Sequence, residues 1–208
     1  MISYSLSLLR YYIVREKGGC CKISDNHFAI SPVFRTHDDL SLRHNKTRRW
    51  IFEVLHYVEF GLSHMEVPGE VALCIYISGC QNRCVNCHYQ ELQQVDAGEL
   101  LATYFEQILD LYHDYTTCVC FMGEGDGSEE SRTEMLSCVK SCNKRAYKTC
   151  LYSGRDTNIE DWMKAFDYVK IGSYREKLGP LTSETTNQRM WMKETDKYID
   201  ITERFWDR

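Results

Sequence analysis

From Trp50 onward the apolar positions fall into short strand-length runs that alternate with one-sided helical patterns. Val71–Ile77 is a compact apolar run containing β-branched residues, the pattern of a strand buried on both faces. A polar, cysteine-rich stretch over 78–90 follows it. Leu100, Leu101, Tyr104, Phe105, Ile108, Leu109 and Tyr112 recur at helical spacing and predict an amphipathic helix through about Tyr112. Asp96 with Glu99 three residues later resembles a capping box, which would start that helix near Asp96. Thr116–Met122 reads as a second strand, stopped by Gly123-Glu124-Gly125-Asp126-Gly127. A second helix is expected over 129–144, with Met135, Leu136 and Val139 facing inward. A third strand over Tyr147–Tyr152, a short helix over 158–166 and a fourth strand over Tyr168–Ile171 come next. Tyr198–Ile201 is a candidate final strand.

Strands and helices in alternation imply right-handed βαβ crossovers and an α/β fold with a mainly parallel sheet. Ligands of such sheets sit at the carboxyl ends of the strands. The cysteine-rich loop and the Gly-Glu-Gly loop each follow a strand, so both should open onto one edge. Residues 1–49 carry no sustained apolar period; 37–39 and 43–49 are strongly polar. They are expected to be a poorly ordered N-terminal extension, residues upstream of the natural start, or a partner-binding arm, leaving 50–208 as the folded domain.

Composition narrows the function classes. The 208 residues are 43% hydrophobic and 26% charged, a globular balance, and the net charge of −5 argues against a basic surface for nucleic acid or an anionic membrane. No apolar run approaches the roughly 18–20 residues that span a bilayer. Met1–Val14 is a poor signal peptide, because Arg10 interrupts it and no basic segment precedes it. A cytoplasmic location is expected. The eleven cysteines are an odd count, poorly explained by a disulfide framework, and clustered thiols in a reducing compartment point to a metal or redox site.

The cluster is Ser78-Gly79-Cys80-Gln81-Asn82-Arg83-Cys84-Val85-Asn86-Cys87-His88, a C-x3-C-x2-C run. Three thiolates within eight residues can wrap one face of an iron–sulfur cube, and three rather than four leave one iron open to a ligand. Gly79 relaxes the backbone as it enters the loop. The alternative is a zinc site built from Cys84 and Cys87 with Cys118 and Cys120, or with His88. Cys80 at the x3 spacing, directly after a buried strand, favours iron–sulfur. Cys118 and Cys120 are expected on opposite faces of their strand, as small buried hydrophobes; Cys74, Cys138, Cys142 and Cys150 are read the same way, and Cys20-Cys21 receive no role.

This triad at the head of a strand–helix chain resembles the radical S-adenosylmethionine enzymes, and among them the anaerobic ribonucleotide reductase activating proteins, which are glycyl-radical activases. The resemblance spans about residues 50–195. It is carried by Glu66-Val67-Pro68-Gly69-Glu70-Val71, Ile77-Ser78-Gly79-Cys80, Cys87-His88-Tyr89-Gln90-Glu91-Leu92, Phe121-Met122-Gly123-Glu124-Gly125-Asp126 and Leu151-Tyr152-Ser153-Gly154. Tyr168-Val169-Lys170-Ile171-Gly172-Ser173-Tyr174, Gly179-Pro180-Leu181-Thr182-Ser183 and Thr186-Asn187-Gln188-Arg189 complete it.

The resemblance implies an incomplete (βα) barrel of the radical-enzyme type, open on one side to admit a macromolecular substrate. It implies that Cys80, Cys84 and Cys87 hold a [4Fe–4S] cluster whose fourth iron is chelated by S-adenosylmethionine. Asn86 and His88 would lie beside that cofactor, His88 being equally readable as a surface loop residue. Gly123 and Glu124 would receive the methionyl ammonium; the order Met-Gly-Glu-Gly-Asp, where many relatives have Gly-Gly before the acid, makes Asp126 a rival. Lys170 and Tyr174 would face the adenosine, with a snorkelling surface lysine as the plainer reading of Lys170. The activity implied is reductive cleavage to a 5′-deoxyadenosyl radical that installs a glycyl radical on anaerobic ribonucleotide reductase. A low-potential donor such as flavodoxin or ferredoxin would supply the electron. Activation of another glycyl-radical enzyme, small-substrate radical chemistry and a non-catalytic zinc-binding module are the alternatives.

Overall fold

Eight strands form one sheet in a computed structural model that describes residues 52–206; the expected extension over 1–49, with Cys20 and Cys21, lies outside the described residues. In chain order the elements are β1 (His56–Ser63), β2 (Ala72–Ile77), β3 (Glu99–Leu100), α1 (Leu101–Leu111), β4 (Cys118–Met122), α2 (Glu129–Lys144), β5 (Lys148–Tyr152), β6 (Tyr168–Ile171), β7 (Arg189–Glu194) and β8 (Lys197–Asp200). The sheet runs β3-β1-β2-β4-β5-β6-β7-β8 and is not closed.

The expectation of a mainly parallel sheet is corrected. Only β2-β4, β4-β5 and β5-β6 pair in parallel; β1 is antiparallel to β2 and β3, and β7 is antiparallel to β6 and β8. The parallel centre follows from its connections, since α1 and α2 each carry the chain back across the sheet between parallel strands. β1–β2 and β7–β8 are joined by short connections over 64–71 and 195–196 that reverse the chain, as antiparallel pairing allows, and β6 and β7 pair antiparallel across the longer segment 172–188.

Alternation along the central strands separates two cores. Leu73, Ile75, Ile77, Val119, Phe121, Leu151 and Val169 face α1 and α2, where Leu101, Phe105, Ile108, Leu109, Met135, Cys138 and Val139 meet them. Ala72, Cys74, Cys118, Cys120, Cys150, Tyr168 and Met190 face the opposite side, closed by Val67, Leu181 and Phe205. Cys118 and Cys120 therefore share a face rather than lying on opposite ones, as residues two apart on a strand must. Register places Cys74, Cys120 and Cys150 side by side across three strands.

The helix boundaries have local causes. Ser128 caps α2 by accepting from the Ser131 N–H at 3.2 Å, Glu129 and Glu130 occupy its first turn and Lys144 its last. Leu136 is half-buried while Met135 and Val139 are buried. The capping box expected at Asp96 is absent, and α1 begins at Leu101 with no side-chain cap. Glu99 is instead drawn into β3, pairing with Tyr57 of β1, so it cannot reach back as a cap. The short helix expected over 158–166 is a 3₁₀ turn, Asp161–Ala165. Among the described residues, no helix is long and apolar enough to cross a membrane.

Candidate iron–sulfur and cofactor site

The cysteine loop leaves the carboxyl end of β2 and is fixed at its entry by backbone bonds. Ser78 N donates to His56 O at 3.0 Å, Gly79 N to Gln94 O at 2.9 Å and Cys80 N to Leu92 O at 2.7 Å. Gly79 holds φ +95°, and a Cβ there would lie 2.8 Å from Asp126 N and 2.9 Å from the Gly125 carbonyl carbon. A side chain would meet backbone, so glycine is required for the two loops to touch. The opening of both loops onto one edge, inferred from their position after strands, is thus observed.

Cys80, Cys84 and Cys87 are free thiols, each half-buried. Burial pushes the Cys87 thiol up, and the neighbouring thiols of Cys84 and Cys80 push it the same way, against a backbone hydrogen bond at Tyr89. A positive charge beside Cys87 would favour its thiolate form. Among the described residues, no group of three or more His, Cys, Asp or Glu side chains converges where a single ion would need them. In an iron–sulfur cluster each thiolate holds its own iron. Cys118 and Cys120, the other half of the zinc alternative, are fully buried in the second core, whereas the loop thiols are not. The donor set fits an iron–sulfur cluster, and Cys80, Cys84 and Cys87 are the side chains that would hold it.

A cavity of about 250 Å³ lies against Cys80, walled by Asn82, Gly123, Glu124, Gly125, Asp126, Gly154 and Arg155. Loops from β2, β4 and β5 all contribute to it, as expected at the carboxyl edge of parallel strands. Asn82 packs directly over Gly154, where any Cβ would collide with its amide. Glu124 is 8% exposed and ion-paired: Arg155 Nη2 lies 3.0 Å from Oε2, and Nε donates to both carboxylate oxygens at 3.1 and 3.2 Å. Arg155 Nη1 also reaches Glu160 Oε1 at 2.6 Å. That guanidinium holds the Glu160 carboxyl down to about 2, opposing the effect of burial and aided by Trp162 Nε1 at 2.8 Å.

Asp126 is exposed and occupied in local structure. Its Oδ1 accepts from Ser128 N, Ser128 Oγ and Ser131 Oγ at 3.0, 2.7 and 2.7 Å. Burial nudges its carboxyl up, these hydrogen bonds outweigh it, and the net shift is down. Asn86 and His88 lie outside the cavity walls. The Asn86 amide donates to Glu176 Oε2 at 2.9 Å, and the exposed His88 ring meets Tyr174 edge-on at 5.7 Å. Both tie the cysteine loop to the segment after β6.

Lys170 departs from the surface reading: it is 6% exposed on the face of β6 shared with Tyr168. Its Nζ donates to Gly172 O at 2.7 Å and stands 5.9 Å over the Tyr152 ring. Burial brings it down to about 8, with the charges of Cys84, Asp156, Glu66 and Cys80 pulling it back up. Arg155 and Glu160 were not singled out from the sequence. The available signal was position, because Arg155 follows Gly154 just past the end of a parallel strand.

The model of the 4Fe-4S single cluster domain family matches residues 67–194, more than half of the chain. The chain belongs to that family. Membership indicates an iron–sulfur cluster domain, and the matched segment contains the cysteine loop, the cavity and the whole parallel centre of the sheet. No curated protein and no solved structure matches the chain.

Proposed function

We propose that the protein is a radical S-adenosylmethionine enzyme that activates a glycyl-radical partner, anaerobic ribonucleotide reductase. The observation that carries the reading is the shared cavity: Cys80 of a three-thiol loop and the buried Glu124–Arg155 pair wall one space. Three cysteines leave a fourth metal position to a ligand, and an acid beside a base matches the ammonium and carboxylate of a methionyl group. Residues 50–208 form the catalytic unit in this reading.

When bound, a cluster of this kind would supply the one electron for reductive cleavage of S-adenosylmethionine to methionine and a 5′-deoxyadenosyl radical, and that radical would take an α-hydrogen from the partner's glycine. The chain's own part is binding, orientation and exclusion of water. Glu124 would accept from the methionyl ammonium, while Arg155, bridging Glu124 and Glu160, holds that carboxylate in place and keeps positive charge at the cavity wall. Gly123 and Gly125 let the backbone approach the ligand. Asp126 stays with Ser128 and Ser131, holding α2 against the loop. The sheet between β3 and β8 is left open, with room for a glycine-bearing loop of a second protein.

The test is anaerobic reconstitution with iron and sulfide, then incubation with S-adenosylmethionine and dithionite. 5′-Deoxyadenosine should accumulate, and added anaerobic ribonucleotide reductase should develop a glycyl-radical signal by electron paramagnetic resonance. Cluster without cleavage overturns the radical reading; cleavage without a signal on the reductase overturns the partner.

A further inference from the structure

We infer that the buried ammonium of Lys170 sets the reduction potential of the cluster held by the cysteine loop. The inference rests on the proposed cluster site and concerns a residue outside the ligand loop.

Register aligns Tyr76, Met122, Tyr152 and Lys170 across β2, β4, β5 and β6, one row above Cys74, Cys120, Cys150 and Tyr168. This upper row is the one nearest the cysteine loop, and Lys170 is its single charged member. An ammonium at 6% exposure is costly to keep unless charge of the opposite sign stands close by. The contacts described for it are neutral, a carbonyl at 2.7 Å and an aromatic face at 5.9 Å. The acidic groups whose charge reaches it are the thiols of Cys84 and Cys80 and the carboxylates of Asp156 and Glu66. Asp156 is already engaged by Arg175 Nη2 at 2.7 Å and by Ser173. At the cavity, Arg155 is held between Glu124 and Glu160, and Arg132 stands 3.7 Å from Glu160 and over the Trp162 ring. Lys170 is thus a buried cation in the strand row nearest the cysteine loop.

A cluster on three thiolates is anionic, and reduction adds one more negative charge. A fixed cation nearby stabilises the reduced form more than the oxidised one and raises the potential. The step is a one-electron reduction by an external low-potential donor, with no bond broken and no proton moved at Lys170.

The experiment is a potentiometric titration of the reconstituted full chain, followed by electron paramagnetic resonance without S-adenosylmethionine. Wild type is compared with Lys170→Met and Lys170→Arg. Met should fill the same space and keep the iron, and the ratio of reduced to oxidised cluster at a fixed potential should fall about tenfold. That is a shift of about 59 mV for a one-electron couple. Arg should stay near wild type. An unmoved midpoint in an iron-loaded Met variant overturns the inference, as does an Arg variant that shifts as far as Met, or loss of iron confined to Met. If Met fails to fold, Lys170→Gln is read the same way. Wild type that holds no iron sinks the cluster site itself, a result distinct from wild type with iron and an indifferent Lys170.

Discussion

Arg155 grips Glu124 through two nitrogens at 3.0–3.2 Å while its third nitrogen lies 2.6 Å from Glu160. The buried acid of the cavity is thus balanced by a base that is itself anchored from behind. Such an arrangement keeps the Glu124 carboxylate in place on the cavity wall.

Glu124→Gln keeps the shape and removes the charge. Affinity for S-adenosylmethionine should fall at least tenfold, since hydrogen bonds to charged groups contribute about 1.5–3 kcal/mol. Iron content should be unchanged. Equilibrium binding on reconstituted protein checks the first and colorimetric iron assay the second; equal affinity would remove Glu124 from the ligand site.

Each of Cys80→Ala, Cys84→Ala and Cys87→Ala should lose most of the iron and the visible absorption of the reconstituted protein. Cys138→Ala, buried in α2 away from the loop, should keep both and lose only about 1 kcal/mol of stability. Retention of iron by a loop variant would show that the ligand set lies elsewhere.

Gly79→Ala places a methyl against the backbone of Gly125 and Asp126 at a φ that L residues avoid. The cost should be about 1–3 kcal/mol in urea unfolding of the apo protein. Iron should also be released faster, because Cys80 is the next residue. An unshifted unfolding midpoint would mean that the two loops part without cost.

Glu160 carries a pH signature. Its carboxyl is lowered in the fold from 4.5 to about 2. A depressed carboxyl stabilises above its unfolded value and loses that contribution as pH falls through the folded one. The stability advantage of wild type over Glu160→Gln should therefore be full above about pH 4.5 and fade towards pH 2. Denaturant midpoints of the two proteins across that range give the measurement, and a constant gap would refute the linkage.

The central strands and α2 were legible because each is a long, one-pattern segment: an apolar run for β2, a 3.6-residue period opened by Ser128 for α2. β1 was not. A bulge between Tyr57 and Glu59 shifts its register, and strict alternation disappears from its sequence. β7, paired between β6 and β8, is largely half-exposed or exposed, so burial imprints little on it, whereas the candidate strand over Tyr198–Ile201 forms as β8 at Lys197–Asp200. In the site, covalent neighbours were legible, hence the three cysteines and the glycine loop. Arg155 and the burial of Lys170 depend on which strand ends lie side by side, which a linear pattern does not record.

The backbone bonds that seat Gly79 and Cys80 on Gln94 and Leu92 bear on the order of assembly. The wall opposite Cys80 comes from residues 123–127 and 154–155, brought there only once β2, β4 and β5 are paired. A nascent chain that has made the cysteine loop has no receptacle behind it. Iron delivered at that stage would meet three solvated thiols and nothing to shield the result from oxidants. On the proposed cluster site, metal insertion is therefore expected on a finished scaffold, and cells starved of iron should accumulate a folded apo form.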